Sequence, residues 1–286
     1  MIAITGATGQ LGQLVIQHLL ARQVPASSLI AAVRSPAKAT QLAALGVQLR
    51  AADYNQPASL DAAFKGVKTL LLISSNEIGR RAEQHLRVIE AARRQQVSLL
   101  VYTSLLHADR SPLSLAGEHR QTEDFLRASG LPFIILRNGW YTENYTVSIP
   151  AALANGAFYG SAGEGRISSA ARSDYAEAAA AALTGKLAAG STIELSGDTS
   201  YTLAELAAEI SRQSGKAIPY VNIPEKAYAD ALLKAGLPTE LAVGLASWDI
   251  SASQGALFDD SKQLSRLIGH PTTSLNAAVK AALPKA

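Results

Sequence analysis

The stretch Ile2-Ala3-Ile4-Thr5-Gly6-Ala7-Thr8-Gly9-Gln10-Leu11-Gly12 decides the fold. A short apolar run enters a glycine-punctuated turn, and Leu11, Leu14, Val15, His18 and Leu19 then recur at helical spacing. Strand, glycine turn and helix N-terminus together offer peptide N–H groups to a pyrophosphate. Gly6 is expected to make the tight turn and Gly9 to let the backbone approach the phosphates. Gly12 is expected to let the helix pack closely on the strand. The spacing is Gly-x-x-Gly-x-x-Gly, a variant of the usual Gly-x-Gly-x-x-Gly. Alone, such a turn is equally compatible with a plain tight turn; its place between strand and helix favours dinucleotide binding.

Outward from this motif, apolar runs alternate with helical patterns. Strands are expected over 29–33, 47–51, 69–73, 98–103 and 133–136, and helices over 36–45, 59–64, 78–95 and 115–129. No hairpin signal separates the strands, so right-handed crossovers and a parallel sheet follow. The near-continuous apolar runs at 69–73 and 133–136 suit strands covered on both faces. The fold class is α/β, a Rossmann-type doubly wound parallel sheet with a smaller, mostly helical C-terminal lobe. The sheet domain is expected over 1–145 and the lobe over 146–286, with a late strand at 192–195 rejoining the sheet.

Within the second half, a helix is expected over 149–155 and a glycine- and serine-rich loop over 160–166. Asp174 is expected to cap an alanine-rich helix over 175–183, and Thr202 with Glu205 forms a capping-box signature for a helix over 202–213. Beyond 223, short helices are broken by Pro224, Pro238, Gly255 and Gly269. A lobe over the carboxyl edge of the sheet is the natural site of a substrate cleft.

Composition narrows the function classes. Of the 286 residues 48% are hydrophobic, yet no run is long enough for a membrane span. Met1 leads straight into a strand, so no signal peptide is expected. The chain has no cysteine, so disulfides and thiolate chemistry are excluded and a cytoplasmic setting is favoured. The net charge of +3 comes from scattered cations; Arg80-Arg81 and Arg93-Arg94 read as solvated helix faces, and nucleic-acid binding is not favoured. His18, His85, His107 and His270 show no metal-ligand spacing, and no metal is assigned. The sequence leaves the choice between monomer and homo-oligomer open.

The second strand end discriminates between nicotinamide cofactors. An acidic residue there would accept the ribose 2′-hydroxyl; an arginine accommodates a 2′-phosphate. This chain has Ala32-Val33-Arg34-Ser35-Pro36-Ala37-Lys38, with no acid. Arg34 can fork onto a phosphate and Lys38 can add a point charge, which favours NADPH; the other reading is two ordinary surface cations. Three further strand ends are expected to line the cleft: Ser74-Ser75-Asn76, Thr103-Ser104, and Arg137-Asn138-Gly139-Trp140-Tyr141. For Ser74 to Asn76 simple turn chemistry is the competing reading.

Four segments carry a resemblance: Thr5-Gly6-Ala7-Thr8-Gly9-x-x-Gly12, Val33-Arg34-x-Pro36-x-Lys38, Leu136-Arg137-Asn138-Gly139-Trp140-Tyr141-x-Glu143-Asn144, and Leu257 to Lys262. Together with Tyr102 to Asp109 they resemble the NmrA-like atypical short-chain dehydrogenase/reductases along the whole chain. The resemblance implies NADPH contacts at Gly6, Thr8, Gly9, Gln10, Leu11 and Arg34, with more around Ser74 to Asn76. It further implies a substrate pocket built from Asn138, Gly139, Trp140, Tyr141 and Asn144, and places Arg172 near the cofactor. A quinone is the substrate it implies.

The chain departs from mainstream short-chain dehydrogenases, whose Tyr-x-x-x-Lys pair donates the proton beside the hydride acceptor. None of the nine tyrosines has a lysine four positions later. Leu115-Ala116-Gly117-Glu118-His119 occupies the place where the pair is expected, and Ser104 is a counterpart of the accompanying serine. A ketone reduced by hydride becomes a basic alkoxide and needs a positioned acid. A quinone gives a delocalised, weakly basic anion, so alignment supplies most of the catalysis. Asn138, Asn144, Tyr141 and His119 are the candidate catalytic groups, as hydrogen-bond donors to the oxygen that gains charge or as proton donor. Filling the lobe interface competes as a role for Tyr141, and a helix-surface position for His119. Two other readings stay open: a non-catalytic NADP(H)-sensing regulator, and a reductase of another conjugated carbonyl.

Overall fold

The computed structural model describes residues 1–284. Strand β1 (Ile2–Thr5) leads to α1 (Gln10–Ala21), β2 (Leu29–Val33), α2 (Thr40–Ala44), β3 (Gln48–Ala51) and α3 (Pro57–Phe64). There follow β4 (Thr69–Leu72), α4 (Arg81–Arg94), β5 (Leu99–Leu105), α5 (Ala116–Ala128) and β6 (Phe133–Asn138). The second half contributes α6 (Glu143–Thr146), α7 (Ile149–Asn155), β7 (Phe158–Gly160), α8 (Arg172–Leu183), β8 (Thr192–Leu195), α9 (Leu203–Ser214) and β9 (Tyr220–Asn222). It closes with α10 (Glu225–Lys234), α11 (Thr239–Ser253), α12 (Gln263–Ile268) and α13 (Leu275–Ala282).

The main sheet has seven strands in the order β3-β2-β1-β4-β5-β6-β8, every pair parallel. The order reverses between β1 and β4, and a crevice opens at the carboxyl ends of those strands. Side chains alternate across the sheet as strand geometry demands. Ile4, Leu71, Val101, Ile134 and Leu136 face α1, α8 and α12. Ala3, Leu70, Leu72, Leu100, Tyr102 and Ile135 face α3, α4 and α5. A slip of one residue would turn both sets out of their cores, at roughly 1.5–3 kcal/mol per large side chain, so the register is fixed.

A third core belongs to the lobe. Trp140, Tyr145, Ile149, Phe158, Tyr201, Leu206, Ile210, Trp248, Leu257 and Val279 are buried there together. The chain weaves between lobe and sheet: β8 pairs with β6, and α8 and α12 pack on the sheet although they lie late in the sequence. Alanine makes this possible for α8, whose small side chains let it lie buried against α1. Among the described residues no helix is long and apolar enough to cross a membrane.

The structure corrects two local expectations and adds one element. The helix expected over 36–45 is broken into a 3-10 turn at Pro36–Lys38 and the short α2, because Ala39 drops into the core at φ −107° and ψ 29°. The alanine-rich helix starts at Arg172, and Asp174 does not cap it. The Glu143 carboxylate accepts from the Arg172 backbone N–H at 2.9 and 3.0 Å, while Asp174 accepts from the backbone N–H and hydroxyl of Thr273. The added element is the separate parallel pair β7 and β9, too short to leave a periodic signal. The Thr202–Glu205 capping box is present as expected.

Candidate active site

The cleft at the switch point has a volume of about 300 Å³ and is lined by residues from four strand ends. Gly6, Thr8, Gly9, Arg34, Ser74, Ser75 and Asn76 line it together. Gly6 turns at φ +58°, a left-handed conformation that glycine alone adopts freely. The Gly9 N–H donates to the Gly6 carbonyl at 2.9 Å, and a Cβ on Gly9 would sit 3.1 Å from that oxygen. A Cβ on Gly12 would lie 2.4 Å from the same carbonyl, so close packing of helix on turn is what demands glycine there.

The first turn of α1 has no side-chain cap and no acidic residue. The N–H groups of Gln10, Leu11 and Gly12 therefore lack an intrahelical or capping partner at the positive end of the helix dipole. Leu11 contributes only through this backbone; its side chain is in the core. Such a turn fits a pyrophosphate. Arg34 fits a further phosphate: its side chain is 70% exposed at the rim, 3.6 Å from Glu77. Lys38 is exposed and outside the lining.

Sequence reasoning missed part of this cleft. Residues 52–55, at the end of β3, and Glu77 and Gln84 also line it. The rule that every strand end of a doubly wound sheet faces the crevice would have found 52–55. Gln84 is buried, and its Oε1 has no hydrogen-bond partner in the protein.

Thr103 and Ser104 do not reach the cleft wall. The Thr103 hydroxyl accepts from the Ser74 N–H at 2.9 Å and so fixes the loop that does. Ser104 donates to Glu123 at 2.7 Å, inside an ion cluster in which Arg137 forks onto Glu123 at 2.9 and 2.8 Å and reaches Glu194 at 2.8 Å. Burial pushes the Glu123 carboxyl up, but Arg137, Ser104 and Arg127 outweigh it and hold the group below its ordinary range. Arg137 and Ser104 thus brace β5, β6 and β8 beneath the site.

His119 is buried, with its Nδ1 2.7 Å from the Tyr102 hydroxyl. Burial keeps that phenol protonated, so Tyr102 donates. Desolvation, with Arg81 nearby, depresses His119 to about 3. Its ring is neutral at pH 7, a hydrogen-bonding group rather than a proton store. His85 is held likewise at about 3 by burial, His119 and Arg81. It accepts from the Ser75 N–H at 2.9 Å, so its proton sits on Nδ1 and is donated to Thr122.

A second group gathers where β6 enters the lobe. The Arg172 guanidinium lies 4.6 Å above the Tyr141 ring, and its Nη2 is 3.5 Å from Asn144 Oδ1. Burial raises the Tyr141 phenol, which the Asn138 amide and Arg172 partly offset, so it remains protonated. The Asn138 Oδ1 is buried without a protein partner. A buried amide acceptor left over in this way fits a ligand's donor. Gly139 and Trp140 play structural parts. A Cβ at Gly139 would meet the Tyr175 hydroxyl at 2.9 Å, and Trp140 stacks edge-on against Trp248 at 5.7 Å.

Residues 6–186 match the model of a family described as NAD(P)H-binding. The chain is 56% identical to quinone oxidoreductase 2 of Escherichia coli, over 98% of this chain and 97% of that protein. The crystal structure of the E. coli NADPH-dependent quinone oxidoreductase complexed with NADPH superposes with a TM-score of 0.95, at 55% identity and over 98% and 99% of the two chains. Triphenylmethane reductase of Citrobacter sp., complexed with NADP(H), also matches at a TM-score of 0.95, with 39% identity over 99% and 100%. The chain belongs to the NAD(P)H-binding family and is a relative of quinone oxidoreductase 2.

Proposed function

We propose that this protein is an NADPH-dependent oxidoreductase that reduces quinones without a Tyr-Lys pair. The near full-length identity to E. coli quinone oxidoreductase 2 carries the reading. The uncapped start of α1 and the exposed Arg34 support it, since their chemistry fits a dinucleotide bearing an adenosine 2′-phosphate. In this reading the N–H groups of Gln10, Leu11 and Gly12 hold the pyrophosphate, and Arg34 takes the 2′-phosphate. Gly6, Thr8, Gly9 and Ser74 to Asn76 shape the wall. When bound, NADPH supplies the hydride.

The protein's own work is to bind, align and stabilise charge. Tyr141 and Asn144 offer a phenol and an amide to a flat ring and its oxygens, the Asn138 Oδ1 is left to accept from a ligand donor, and Arg172 orients Tyr141 through its ring face. An amide N–H aimed at the oxygen that gains charge lowers the barrier without a strong acid. His119 stays neutral and fixes Tyr102 behind the site. A cytoplasmic location belongs to the same reading, on the cysteine-free composition.

Steady-state oxidation of NADPH with benzoquinones and naphthoquinones is the test, and no turnover with any of them would overturn the assignment. Asn144→Ala should lower kcat by about 10-fold or more while the NADPH Kd moves less than about twofold. An unchanged kcat would remove Asn144 from the site.

A further inference from the structure

A carboxylate faces Arg34 across the mouth of the cofactor cleft. Glu77 lines the cleft, and its Oε1 lies 3.6 Å from Arg34 Nη1. Its other oxygen, Oε2, accepts from Arg80 Nη1 at 3.1 Å and from Gln84 Nε2 at 2.9 Å. The loop carrying it is pinned. Ser75 Oγ accepts from the Glu77 N–H at 3.1 Å, and the Glu118 carboxylate accepts from the N–H groups of Gly79 and Arg81 at 3.0 and 2.8 Å. Glu77 is thus fixed from its own side of the cleft, whereas the exposed Arg34 side chain is free to turn away.

Resting on the phosphate role given to Arg34 above, we propose that Glu77 sets the cofactor preference by competing with the adenosine 2′-phosphate for Arg34. NADPH must draw the guanidinium off the carboxylate. NADH has a neutral 2′-hydroxyl, makes no claim on that cation and leaves the pair intact. Arg80 keeps Glu77 partnered when Arg34 leaves, so the exchange is gentle rather than prohibitive. The pair sits near solvent, so its influence is modest and screened by salt.

The test is Glu77→Gln in the full-length protein, with NADPH and NADH Kd values from fluorescence titration at low and high salt. Glutamine keeps a carbonyl oxygen for Gln84 and removes the charge. The NADPH Kd should fall about three- to fivefold at low salt and less at high salt, with the NADH Kd changing less than about twofold. In an Arg34→Ala background the gain for NADPH should shrink below about twofold, because the contested cation is gone. An unchanged NADPH Kd, an equal shift for both dinucleotides or a weakened NADH complex would each overturn the proposal. So would a gain that persists undiminished without Arg34, which would mean simple repulsion. Should the unaltered protein bind NADPH yet reduce no quinone, the functional reading alone falls; should it bind no NADPH, both fall.

Discussion

The glycine turn and the buried polar cluster between α4, α5 and β5 are both rich in hydrogen-bonding groups, yet they differ in what remains unused. At the turn, the first N–H groups of α1 lack a cap and Arg34 extends into solvent. In the cluster, Ser75 donates to His85, His85 to Thr122, and Thr122 to the Glu118 carbonyl, while Tyr102 donates to His119. Only Arg81 Nη1 is left over among the buried side-chain atoms of that cluster. The turn leaves its donors facing the cleft, whereas the cluster spends nearly all of its own on the scaffold. Desolvation reinforces the contrast, because it keeps both histidines neutral.

The sharpest way to break this contrast is to close the open region. Gly9→Val adds a side chain beside the Gly6 carbonyl at a φ of −73°, which valine tolerates, so the protein should fold and yet lose NADPH binding by more than about 100-fold. Calorimetric titration beside a circular dichroism spectrum checks both halves; retained binding would mean the turn is not the phosphate seat. Removing the exposed cation is milder. Arg34→Ala should raise the NADPH Kd about 10- to 100-fold and the NADH Kd less than about twofold. Equal changes would contradict a 2′-phosphate role.

The saturated region should respond least in turnover and most in acid stability. His119→Gln preserves an acceptor for Tyr102, so kcat at pH 7 should stay within about threefold of the unaltered protein. The folded His119 pKa of about 3 lies below its ordinary 6.5, so the unfolded chain takes up a proton that the native state refuses. The stabilising contribution is full above pH 6.5 and is lost as pH falls toward 3. Thermal melts across that window should show a shallower decline in Tm for the variant; parallel curves would mean that His119 titrates normally.

Much of the scaffold was legible because it rests on local patterns. Strands at 29–33 and 192–195 and the capping box at Thr202 and Glu205 lie where periodicity and capping chemistry place them. The site was only partly legible. Gly6, Gly9 and Arg34 follow from neighbours within a few residues, and the structure sets them around one cleft. Glu77 lies one residue past the segment read after β4, while Gln84 on α4 and 52–55 beyond β3 reach the cleft only through the packing of separate elements. The partners of Ser104 and His119, Glu123 and Tyr102, are visible only once α5 lies on the sheet.

The amino-acid order alone determined the parallel sheet, the glycine turn and the missing Tyr-Lys pair, since each is a matter of residue type at short spacing. Tertiary structure decided which polar groups stay available. Availability depends on burial and on partners distant in sequence: Asp174 turns to Thr273, Glu143 caps the helix that starts at Arg172, and Glu77 meets Arg34 across the cleft. A side chain's chemistry is written locally, but its unspent hydrogen bonds and charge are a property of the packed whole.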